Sequence, residues 1–138
     1  MGFADSIRIH NAKVKEQVND KIVAIATELF AEIVENTPVD KGILKNNWYA
    51  GTGRTYNGSY NENSASKDGM SSLTQIASLR VYKGFVGRDS SVSLSNSTPY
   101  GFRAEYAGWP TPTWSGRVGP YAMIAKAFIK VVPKYKRP

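Results

Sequence analysis

The sequence contains no cysteine and a single histidine, His10, in 138 residues. Disulfides, thiolate catalysis and cysteine-built zinc sites are therefore excluded, and assembly in a reducing cytoplasm is permitted. A Ser–His pair or a histidine metal site has little material. Long apolar runs are also missing: nothing approaches the roughly 20 residues of a membrane helix. Met1 to Asn11 has no apolar core of signal-peptide length and carries Asp5, Arg8 and His10. A soluble protein with no export signal and no membrane partner is the expectation. Acidic residues are scarce, 11 against 18 Lys and Arg, which leaves a net charge of +7. Lys130, Lys134, Lys136 and Arg137 supply much of that excess near the C-terminus. A basic tail over 133–138 suits DNA or an acidic partner, and equally a solvated terminus.

What is present suits one folded domain, 1–138, with an ordinary hydrophobic content of 41%. The first ten residues are expected to be flexible, with Asp5 or Ser6 capping at most a short turn. From near Asn11 to Asn36, apolar residues recur at Val14, Val18, Ile22, Ile25, Leu29 and Ile33. Steps of three and four place them on one face of a helix of roughly seven turns. Thr37-Pro38 ends it, because a residue before proline is pushed out of helical geometry. The segment Ile43 to Gly51 reads as a first strand, although its early part fits a helical turn before Trp48 equally well. Trp48 is expected in the core. Residues 51–72 are mostly Gly, Ser, Asn and Thr, with Tyr56, Tyr60 and Met70 as the main apolar exceptions. So polar a stretch predicts an exposed loop or arm.

Ser71 and Ser72 suit the start of a second helix running to about Tyr82. The turn Gly87 to Ser90 leads to Ser91-Val92-Ser93-Leu94-Ser95, whose period of two is that of a strand with one buried face. A third helix is expected from Pro120 to Pro133, burying Tyr121, Ile124, Ala125, Phe128, Ile129 and Val132. The class is therefore α+β: a long N-terminal helix and a C-terminal helix packed on a small, mainly antiparallel sheet, with a long polar loop or arm.

Chemistry-bearing constellations are few. Glu28 and Glu32 share a helix face at i, i+4, but no second liganding element accompanies them, so a solvated face is expected. Gly51-Thr52-Gly53 and Gly84 to Arg88 lack the Gly-Lys-Ser/Thr ending of a phosphate loop. No serine sits in a nucleophile elbow. The expectation is no enzyme, no cofactor, no metal and no small-molecule substrate. Glu105, a lone acid between aromatics, reads either as a carboxylate holding backbone amides or a basic side chain within the fold, or as part of an intersubunit ion pair. Trp109 and Trp114, in the proline-punctuated loop 109–116, read either as a lid on the core or as contact anchors.

Two segments carry a family resemblance. The run Ser93 to Gly108, SLSNSTPYGFRAEYAG, resembles a segment of the tail-completion (neck) proteins of tailed bacteriophages. The matching positions are Asn96, Pro99, Tyr100, Glu105 and Tyr106, with Gly108 displaced by Ala107. Upstream, Thr37 to Trp48, TPVDKGILKNNW, is similar to the family's T-P-V-D-T-G-x-L-x-x-x-W, with Lys41 in place of the usual Thr. The resemblance implies a virion subunit at the head–tail junction. Such a subunit forms a homo-oligomeric ring with head-connector and tail proteins as partners, around a channel that DNA crosses. Candidate interface residues are then Tyr56, Tyr60, Glu105, Trp109 and Trp114, with the basic tail Lys130, Lys134, Lys136 and Arg137 facing a partner or DNA. The alternative is a small basic nucleic-acid-binding module.

Overall fold

A computed structural model describes residues 2–39, 42–53, 55, 58–62, 67–84, 91–99, 101–107, 109–110, 117–118 and 120–136. Helix α1 (Phe3–Asn36) is 34 residues long, about 50 Å at 1.5 Å per residue. It starts at Phe3, not near Asn11. The segment from Phe3 to His10 contains neither glycine nor proline, and Asp5 in the first turn complements the helix dipole. Asp5 also accepts a 2.5 Å hydrogen bond from Arg8. The first ten residues, expected to be flexible, thus carry helix from Phe3 onward.

The helix ends where Pro38 requires. Thr37 turns to extended geometry, and its hydroxyl donates to the Ile33 carbonyl at 2.8 Å. The same hydroxyl accepts the indole N–H of Trp48 at 2.9 Å, which fixes the buried Trp48 against the helix end. After the turn 43–46, strand β1 (Trp48–Thr52) pairs antiparallel with β2 (Val92–Asn96), from Trp48↔Asn96 to Thr52↔Val92. Val92 and Leu94 pack on the core, as the alternation predicts. A second antiparallel pair, β3 (Trp109–Pro110) with β4 (Arg117–Val118), completes the strands among the described residues.

The polar segment 51–72 is narrower than expected. Gly51 and Thr52 belong to β1, and α2 (Met70–Ala77) begins at Met70. Gly69 caps α2 with φ 75°. A Cβ there would come within 2.8 Å of Val34 Cγ1, so both the backbone angle and the close approach call for glycine. Ser72 is no cap: it lies buried within α2, accepts the Trp48 backbone N–H at 3.0 Å and donates to the Lys45 carbonyl at 2.7 Å. Asn47, with no exposed surface, ties part of the loop down. Its amide donates to the Asn61 carbonyl at 3.0 Å and accepts the Asn61 N–H at 2.7 Å.

Helix α4 (Met123–Val131) starts three residues after Pro120 and ends just before Pro133, which enters a 3-10 turn, Val132–Tyr135. The delay has a cause. The N–H groups of Tyr121 and Ala122 donate to the carbonyls of Ala104 and Glu105 at 2.8 and 3.2 Å, at the end of helix α3 (Gly101–Tyr106). The buried line is accordingly Met123, Ala127 and Val131, which packs on α1. The expected face is corrected: Ala125, Phe128 and Ile129 are exposed, and Tyr121, Ile124 and Val132 are only half-buried. The core lies between α1, α4 and β1–β2, and includes Ile33, Val34, Trp48, Ile76 and Met123.

Candidate subunit interface

Besides Phe128 and Ile129 on α4 and isolated side chains such as Val81, two apolar surfaces are left uncovered among the described residues. The first forms around α3. Asn96, at the end of β2, accepts the N–H of Thr98 at 3.1 Å and its hydroxyl at 2.7 Å, while donating to the Leu44 carbonyl at 2.8 Å. This side chain turns the chain from strand into helix. Phe102 and Tyr106, one turn apart on α3, then stand side by side with ring centroids 4.7 Å apart. They are 76% and 66% exposed, unusual for aromatics already held in a helix. Beside them lies a groove of about 170 Å³ whose lining includes Trp48, Leu94, Met123 and Ile124.

Glu105 sits under that groove, 6% exposed. Its carboxylate accepts the Ile124 N–H at 2.7 Å, one of the first amides of α4 and without a partner within that helix. Of its two expected roles, the structure realises the capping one. The carboxylate also complements the positive end of the α4 dipole.

The second surface is the N-terminal half of α1. Every residue from 2 to 18 is exposed, and the first buried one is Asn19, whose amide donates to the Tyr82 carbonyl at 2.8 Å. About 24 Å of helix therefore stands clear of the body. Phe3, Ile7, Val14 and Val18 fall on one stripe of it, exposed at 83%, 43%, 41% and 44%. The stripe continues the line of Ile22, Ile25 and Leu29 that descends into the core.

The remaining candidates from the sequence fare differently. Tyr56, Trp114 and Arg137 lie outside the described residues. Trp109 is placed through its backbone pairing with Val118. Tyr60 is half-buried, and desolvation followed by the Glu62 carboxylate pushes its phenol above the ordinary 10.0. The basic tail is engaged rather than free at two positions. Lys130 pairs with Glu32 at 3.1 Å, and Lys134 with Glu28. Lys136 is exposed. The Glu28–Glu32 face, expected to be solvated, is corrected: α4 and the turn after it cover it with cations. Tyr135 adds its hydroxyl to the Glu28 carboxylate. The hydrogen bond from Lys134, then that from Tyr135, holds Glu28 below the ordinary 4.5, and Lys134 and Tyr135 are each raised in return.

Sequence reasoning missed Phe102 as an exposed residue and missed the stripe at Phe3 and Ile7. The second had a signal, since positions 3 and 7 extend the periodicity that starts at Val14. Among the described residues no cluster of three or more His, Asp or Glu side chains is disposed to hold a metal ion, and no helix is long and apolar enough to cross a membrane. Compared with protein-family models, with curated proteins and with solved structures, the chain matches none.

Proposed function

We propose that the chain is a structural subunit that works by self-assembly into a ring. One observation carries this reading: 16 residues of helix, Phe3 to Val18, are wholly exposed yet bear an apolar stripe. This extension of α1 makes none of the tertiary packing from which most helical stability in proteins comes, and its first turn lacks a side-chain cap. Such an element is stabilised when a neighbour covers its stripe.

Placement at the head–tail junction of a tailed phage, with head-connector and tail proteins as partners and DNA in the channel, rests on the resemblance of Thr37–Trp48 and Ser93–Gly108. Those two segments meet in the fold. β1 pairs with β2 from Trp48↔Asn96, Thr37 holds Trp48, Asn96 holds Leu44 and Glu105 caps α4. Four of the shared motif positions are thus staples between elements, so the resemblance speaks first to architecture. The basic tail is a weaker contributor to any DNA contact than its composition suggests, because Lys130 and Lys134 already have carboxylate partners.

Mass by light scattering at rising concentration, with negative-stain imaging of any large species, tests the reading. Closed rings of fixed subunit number are expected. A chain that remains a monomer at its solubility limit overturns it.

A further inference from the structure

The Phe102–Tyr106 surface and the stripe on the N-terminal half of α1 lie at opposite ends of one rigid element. Phe3 is at the start of α1, whereas the groove adjoins its last turn: Met123, in the groove wall, accepts a 3.3 Å hydrogen bond from Asn36 through its carbonyl. The separation along a 34-residue helix is about 50 Å, so the surfaces cannot meet within one chain. They are dissimilar patches placed head and tail, the arrangement that builds heterologous contacts closing into rings or running on as filaments.

Resting on the self-assembly reading above, we infer that the projecting half of α1 docks on a second copy of this chain, its Phe3–Ile7 end seated in the Phe102–Tyr106 groove. The sizes agree. The groove measures about 170 Å³, and an apolar space of about 150 Å³ accepts one benzene ring, the size of the Phe3 phenyl group. The areas agree as well. The arm stripe leaves on the order of 400 Å² of apolar side chain in water, and Phe102 with Tyr106 about 300 Å² more, given the 150–250 Å² an aromatic can bury. At an apolar share near 57%, covering both corresponds to roughly 1,200 Å² of interface, the lower bound of a specific protein contact. One such contact is weak alone, and a closed ring gives every copy two.

Charge favours a protein over a lipid surface. From Phe3 to Val18 the arm carries Arg8, Lys13 and Lys15 against Asp5 and Glu16, an excess of one cation that falls short of the strongly basic face that draws an interfacial helix to anionic lipid. Pairing of two arms with each other leaves Phe102 and Tyr106 in solvent.

The absence of native cysteine gives a direct test. Ala4→Cys and Ala125→Cys place single thiols at exposed positions beside the arm stripe and the groove wall. A short bismaleimide should join the two variants when mixed, and each alone far less. Phe102→Ser and Tyr106→Ser, at exposed positions, should weaken association at least tenfold with an unchanged circular dichroism spectrum. Wild-type assembly with cross-linking of Ala4→Cys to itself, or with none in the mixture, overturns the arm–groove contact and leaves self-assembly standing. A wild-type monomer overturns both.

Discussion

Glu105 shows how one side chain decides where an element begins. Its carboxylate reaches from α3 to the Ile124 amide at 2.7 Å, while its own carbonyl holds Ala122. Ala122 is the described non-glycine residue with positive φ, 45°, a geometry that costs about 1 kcal/mol or more without such restraint. Truncation to Glu105→Ala removes a charge-assisted, buried cap and should cost about 2 kcal/mol in urea unfolding. Glu105→Gln keeps an acceptor oxygen and should lose about half as much. A change within about 0.5 kcal/mol for the alanine variant would be the size of an ordinary surface substitution, and would mean that the carboxylate has no structural role. Loss of assembly with unaltered stability would instead support the intersubunit ion pair also weighed for this residue.

Between elements, the seam of α1 with α4 and its following turn is held by charge as well as by Val34, Met123 and Val131. Glu28 has its pKa lowered by the Lys134 and Tyr135 hydrogen bonds, so its contribution is present above 4.5 and lost as pH falls through the lower folded value. Lys134 and Tyr135 are raised, so theirs are present below 10.5 and 10.0 and lost as pH rises through the higher folded values. The stability difference between wild type and Glu28→Gln should therefore be flat across the neutral range and shrink at both extremes, as read from denaturation midpoints at a series of pH values. A difference that grows toward acid contradicts the pairing. The period of α1, its stop at Pro38 and the β1 and β2 strands were legible because each rests on local chemistry: apolar spacing, a proline and alternation. The start and buried face of α4 were not. Both depend on Ala104 and Glu105, distant in sequence, which take up the amides of Tyr121 and Ala122. Nothing local distinguishes Phe128 and Ile129, left in water, from Met123 and Val131, buried. The aromatic pair Phe102 and Tyr106 was visible as composition, but its exposure follows only from how α3 lies over the groove.

For the molecule as a whole, the body and the arm divide at Asn19. Everything from 2 to 18 is exposed, and Asn19 is the first buried residue of α1. Tolerance of a truncation follows from the burial and bonding of the backbone removed, and this segment makes no contact with the core that burial would register. Deleting residues 2–18 should therefore leave a folded body whose unfolding free energy changes by less than about 1 kcal/mol, the loss being confined to the exposed turns. The same deletion removes the whole Phe3, Ile7, Val14 and Val18 stripe, so the mass in solution should fall to that of one chain at concentrations where the full-length protein assembles. Thermal unfolding and light scattering on the two proteins read the two effects separately. If the shortened chain still assembles, the interface lies elsewhere, with the exposed Phe128 and Ile129 on α4 as the next surface to mutate. If it fails to fold, the N-terminal half of α1 is part of the body, and its exposure in the single chain is not that of a docking arm.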